Sequence, residues 1–189
     1  EVVRRMDRLI QDLLDRYQAL PEPKRLLALA DHGFTELATE VDLNAWLSEA
    51  GLLHLQGEPE SETDASVIGS GSKAFALDPG RILMHRTDRF ARGAVTPAEA
   101  NRLREEIAGA LSELRRHGEP VLREVLRGED LYPGCPHPHI PDLVCVPARG
   151  YDLKAKFNRG EVFGHFGRAG THTADDAFFA DSAGADVAT

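Results

Sequence analysis

Met6, Leu9, Ile10, Leu13, Leu14 and Tyr17 recur at intervals of three and four, which predicts an amphipathic helix over 2–18 with one core-facing stripe. Pro21 and Pro23 end it. The uninterrupted apolar run at 26–30 is too short for a stable helix and predicts a strand buried on both faces, as in the middle of a parallel sheet. Leu43, Trp46, Leu47 and Ala50 form the stripe of a second helix, opened by a capping box at 39–42 and stopped by Gly51. Trp46 lies on that stripe and reads as core, not as a platform for a ligand.

Further along, 52–56 reads as a short strand and 57–72 as an acidic, small-residue loop. Asp78-Pro79-Gly80 between the apolar flanks 75–77 and 81–85 predicts a β-hairpin. Thr96-Pro97-Ala98-Glu99 supplies a cap, a first-turn proline and an acid. The helix it opens buries Ala100, Leu103, Ile107, Ala110, Leu111 and Leu114 and closes at Gly118. Residues 121–126 fit either strand or helix, whereas 142–146 before Pro147 read as a short buried strand. Phe178 and Phe179 suit a last element anchored on the core, and the small, polar 180–189 reads as a frayed tail.

A chain of 189 residues needs no more than one domain. Its 22 basic and 31 acidic residues leave a net charge of -9, which argues against binding a nucleic-acid polymer and requires any phosphate-handling site to borrow positive charge from metal ions. No apolar run approaches the ~18 residues needed to span a bilayer, so no membrane partner is expected. Cys135 and Cys145 lack metal or disulfide spacing and read as reduced thiols, which points to the cytoplasm. The chain opens on Glu1 directly into its first helix, which is the appearance of an excised piece of a longer protein.

Chemistry enters at the end of the apolar run. In open α/β sheets the ligand crevice lies beyond the carboxyl ends of the strands, and there the chain places Asp31 and His32, followed by Gly33 to turn the backbone away. An acid beside an imidazole suits a divalent metal, and a polar turn is the plainer reading of the same three residues. A second histidine stands in Gly170-Thr171-His172-Thr173. His137 and His139 are spaced for chelation, but Pro136 and Pro138 make that segment an extended surface spacer and leave both outside the site. The Gly69-Ser70-Gly71-Ser72 run lacks the lysine and the strand-loop-helix setting of a phosphate cradle and reads as flexible loop.

Taken in order, the segments at 26–35, 44–47, 76–82, 141–144, 150–154 and 170–179 resemble the carboxy-terminal half of type I phosphodiesterase/nucleotide pyrophosphatase proteins, members of the alkaline phosphatase superfamily. The resemblance covers nearly the whole chain. It implies an α/β fold, part of an alkaline-phosphatase-like sandwich with a mostly parallel central sheet flanked by helices. A β-hairpin subdomain joins it, with 57–118 a hairpin-plus-helix insertion into one catalytic domain. It also implies two zinc ions about 4 Å apart, with Asp31 and His32 ligating one and His172 the other. The family's hydroxyl nucleophile, a first aspartate and an Asp–His ligand pair have no counterpart in 1–189. The nucleophile is therefore expected upstream of residue 1, and the isolated chain is expected to be inactive.

For the intact protein the resemblance implies in-line attack by that nucleophile on a phosphate-ester or nucleotide-like small molecule, then hydrolysis of the phospho-enzyme. Uncovered apolar surface would favour pairing with the missing amino-terminal half or self-association. Two alternatives stand beside this reading: a phosphomonoester phosphatase or phosphomutase of the same superfamily, and a non-catalytic module that keeps the fold.

Overall fold

The computed structural model describes residues 1–184 except Pro136 and Pro138. In chain order it contains α1 (Val2–Ala19), β1 (Leu27–Ala30), β2 (Gly33–Glu36), β3 (Thr39–Asp42), α2 (Leu43–Glu49), β4 (Ala74–Asp78), β5 (Arg81–Met84), α3 (Pro97–Ser112), β6 (Arg115–Arg116) and β7 (Glu119–Pro120). There follow β8 (Leu122–Arg127), α4 (Gly128–Leu131), β9 (Leu143–Pro147), β10 (Tyr151–Lys154), β11 (Phe163–Gly164), β12 (Gly170–Thr173) and β13 (Phe178–Asp181). The chain divides into two compact units, one of residues 35–171 and one of 1–34 with 172–189.

The larger unit holds the buried core. An antiparallel sheet in the order β4-β5-β9-β8 and a three-stranded sheet in the order β10-β3-β11 carry it. Val41, Leu43, Leu47, Ile82, Ile107 and Leu111 are all sealed from solvent. The hairpin β4–β5 forms because Gly80 takes a left-handed conformation (φ 77°) that a side chain would strain. α3 starts as its sequence dictates: the Thr96 hydroxyl accepts from the Glu99 amide, the Glu99 carboxylate accepts from the Thr96 amide, and Pro97 stands in the first turn. It ends at Ser112 and not at Gly118, because 115–120 folds back as the β6–β7 hairpin with Gly118 (φ 88°) in its turn. α2 is capped by Asp42, whose carboxylate accepts from the Ala45 amide at 3.0 Å; Thr39, the expected cap, lies in β3 instead. Residues 52–56 form no strand and contribute one isolated bridge, Leu55 to Ile68. Residues 122–127, open between helix and strand from their sequence, are the strand β8.

The expectation of a mostly parallel central sheet flanked by helices is overturned. The sheets are mostly antiparallel; β3–β10 runs parallel, while β1–β13, β3–β11, β4–β5, β5–β9, β8–β9 and β6–β7 are antiparallel. A parallel sheet needs a crossover of a dozen or more residues between neighbours, whereas β4 and β5 are joined by a tight turn that permits only antiparallel pairing. The apolar run does form a strand over 27–30, but among the described residues it pairs only with β13, and Leu27 and Leu29 are 49% and 64% exposed. An apolar run shows that a strand tolerates burial on both faces; it does not supply the layers that would bury it.

In the smaller unit α1 has no buried residue, and Met6, Leu9, Ile10 and Leu13 are exposed. Polar bonds order this unit. Arg25 grips Asp181 through Nε and Nη2 at 2.9 and 2.5 Å, Ser182 Oγ accepts from the Leu26 amide at 2.9 Å, and Tyr17 bonds the same hydroxyl. Lys24 Nζ donates to the carbonyls of Gln18 and Leu20, which α1 itself leaves unpaired. Of the tail at 180–189, residues 180 and 181 belong to β13, and 185–189 lie outside the described residues.

Candidate metal centre

Asp31 and His32 occupy the link between β1 and β2, and His172 lies in β12, so the three residues reach the same place from distant parts of the sequence. The imidazoles of His32 and His172 are stacked, with ring centroids 3.8 Å apart and planes inclined by 25°. His32 Nε2 is 3.6 Å from Asp31 Oδ1, and Phe34 flanks His172 with centroids 5.9 Å apart. The side chains remain open to solvent: Asp31 is 87% and His32 42% exposed.

The hydrogen bond of His32 decides what its ring can do. Nδ1 lies 2.9 Å from the Gly33 carbonyl oxygen, which can only accept, so Nδ1 carries the proton. Neutral imidazole then presents the lone pair of Nε2, on the side of Asp31. A backbone carbonyl behind one ring nitrogen is the usual way a metal-binding histidine is oriented.

Gly33 has a specific steric role at the site: a Cβ there would fall 2.2 Å from Asp176 Cβ and 2.3 Å from Thr173 Oγ1. The glycine allows the segment after His172 to close against the segment after His32, and any side chain would push the two apart. Thr173 Oγ1 donates to Asp176 Oδ2 at 3.1 Å within that contact. This role of Thr173 and Asp176 has no local signal in the chain, because the contact depends on which strands meet and not on spacing.

The donor types fit zinc: one imidazole in the correct tautomer, a carboxylate beside it and a second imidazole against the first. The donor number falls short. Among the described residues no three His, Cys, Asp or Glu side chains are grouped so as to hold a metal ion. His137 and His139, set aside as spacer, have ring centroids 5.2 Å apart, and the prolines on which that reading leaned, Pro136 and Pro138, lie outside the described residues. Cys135 and Cys145 are both free, and burial pushes the Cys145 thiol up to about 12, which makes it unreactive. Among the described residues no helix is long and apolar enough to cross a membrane.

A search of curated proteins and a search of solved structures each returned no match. The family model for type I phosphodiesterase / nucleotide pyrophosphatase matches residues 1–175, a stretch that contains Asp31, His32 and His172. The stacked histidines thus lie within a family-wide match covering nearly the whole sequence, and the chain belongs to the type I phosphodiesterase / nucleotide pyrophosphatase family, whose members are phosphodiesterase-type hydrolases.

Proposed function

We propose that this chain supplies part of a two-zinc hydrolase of phosphodiesters or nucleotide pyrophosphates, with Asp31 and His32 on one zinc and His172 on the other. The observation that carries the reading is the 3.8 Å stack of His32 on His172, with the Asp31 carboxylate beside it, inside the family match. Zinc bound there would supply positive charge to phosphoryl oxygens and activate a hydroxyl nucleophile. The chain's own residues orient that chemistry. The Gly33 carbonyl fixes the His32 tautomer, and Gly33 itself keeps the approach to Thr173 and Asp176 open.

The remaining ligands and the nucleophile come, in this proposal, from polypeptide outside residues 1–189, because a zinc site takes at least three protein ligands and the residues assigned here, among those described, number two for one metal and one for the other. The substrate is a small phosphate ester or nucleotide-like molecule; a net charge of -9 disfavours polyanions. The shortage of ligands also supports a second reading, a non-catalytic module that retains the fold. The two separate in one assay. The chain is supplied with zinc, alone and mixed with the amino-terminal half-domain of a family member, and hydrolysis of a bis-aryl phosphate and of an aryl phosphate is followed. Diester hydrolysis that needs both pieces and is lost in His172→Gln supports the enzyme. No activity in the mixture supports the module, preference for the monoester moves the chain to a phosphatase, and full activity of the chain alone contradicts the shared site.

A further inference from the structure

In the unit of residues 35–171, α3, the turn at 86–89 and residues that include Glu129, Tyr132, Ile140 and Asp142 line a polar cleft of about 500 Å³. That volume is within the ordinary range of small-molecule sites, about 300–1,000 Å³. Three arginines line it, and each meets a carboxylate. Arg86 holds Asp88 through Nε and Nη2 at 2.9 and 2.5 Å, and Arg104 holds Glu129 at 3.2 and 3.1 Å while its Nε donates to Glu105 at 3.4 Å. Arg89 Nη1 donates to Asp142 Oδ2 at 3.1 Å and its Nη2 to the Ile140 carbonyl at 2.7 Å.

Arg89 is the anomaly. Its side chain is 9% exposed, yet its Nε is buried without a hydrogen-bond partner, the one such side-chain atom among the described residues. A buried donor left unmet is costly and calls for an acceptor. A guanidinium carries five N–H donors, so the carboxylate pairs leave part of each fork on Arg86 and Arg104 unused. Donors in excess, spread over three side chains around one cleft, suit a group that accepts from several directions. A tetrahedral phosphoryl group does so, whereas a planar carboxylate is served by a single fork.

We propose that this cleft is a phosphoryl-group binding site, with Arg86, Arg89 and Arg104 as its donors, separate from the metal centre and independent of the reading given to that centre. Asp88, Asp142, Glu129 and Glu105 already offset the guanidinium charges, so recognition here rests on hydrogen-bond geometry and not on net positive charge. That departs from the metal-assisted handling of phosphate that the net charge of -9 predicts, and inorganic phosphate binds weakly. Tyr132, whose ring is exposed at the cleft, is placed to contact an organic group carried by the phosphate.

The test uses the arginine Nε–H signals of the ¹⁵N-labelled chain, titrated with inorganic phosphate at constant ionic strength. The Arg89 signal should shift saturably. Arg86→Gln with Arg104→Gln should weaken binding about ten-fold or more, as expected for lost charge-assisted bonds. Asp88→Asn, which releases the Arg86 fork from an exposed partner, should tighten it several-fold and does not depend on the double variant folding. Arg102→Gln, an exposed arginine of α3 outside the cleft, should change nothing. The proposal fails if the Arg89 signal does not saturate, if Asp88→Asn leaves the affinity unaltered, or if acetate binds the same signal as tightly as phosphate.

Discussion

Two stretches of this chain have similar apolar patterning and opposite fates. In the 35–171 unit, α3 turns Ala100, Ile107 and Leu111 into a core that also seals Ile82 and Leu143. In the other unit, α1 repeats apolar residues at the same helical spacing with none of them buried, and β1 leaves Leu27 and Leu29 exposed beside Phe178 and Phe179. What distinguishes the two is the presence of a second layer. α3 has the β8 strand to pack on, while the smaller unit is held by Arg25, Asp181, Ser182 and Lys24, which are polar contacts. An exposed apolar helix face and a two-stranded ribbon are poorly stable by themselves.

Core truncation should separate the two units most. Leu111→Ala should cost about 2–5 kcal/mol in denaturant unfolding, whereas Leu9→Ala should stay within about 0.5 kcal/mol. Equal costs would break the comparison, since they would mean that α1 is covered in solution; sedimentation would then show an assembly. Next in size is the start of α3. Thr96→Ala removes the cap and its reciprocal bond with Glu99 and should cost about 1 kcal/mol, read from the same unfolding curves. A change within error would show that Pro97 alone sets the helix start.

The smallest effect concerns pH. The Arg25 guanidinium holds the Asp181 carboxyl down to about 2, below its unfolded value of about 3.9. A depressed carboxyl contributes stability above the unfolded value and loses it as pH falls through the folded one, so the β1–β13 ribbon should loosen between about pH 4 and 2. The protection factors of amides 27–30, that is, exchange corrected for its intrinsic pH dependence, should fall in that window, and Asp181→Asn should show the lowered protection already at neutral pH. Protection that is flat with pH would show that the ribbon does not depend on this pair.

How far the sequence foretold all this depends on the range of the signal. Elements with local punctuation were legible: the Thr96-Pro97 start of α3 and the Pro79-Gly80 hairpin follow from residues within one turn of each other. Sheet direction was not, because the run at 26–30 records tolerance for burial and says nothing of which strand lies beside it. The convergence of His32 and His172 was legible through their glycine-flanked motifs, which the family resemblance tied together. Gly33 was legible as a position where a Cβ would clash, but its contact with Asp176 is visible only once the strands meet. The unmet Nε of Arg89 had no sequence signal at all.

The proposed partial zinc site of Asp31, His32 and His172 is tested most directly by a zinc titration of this chain followed by histidine side-chain NMR. Weak binding is expected, lost on gel filtration, with the changes concentrated at His32 and His172 and abolished in His32→Gln with His172→Gln. Tight, stoichiometric zinc that survives that double variant, or shifts centred on His137 and His139, would contradict it.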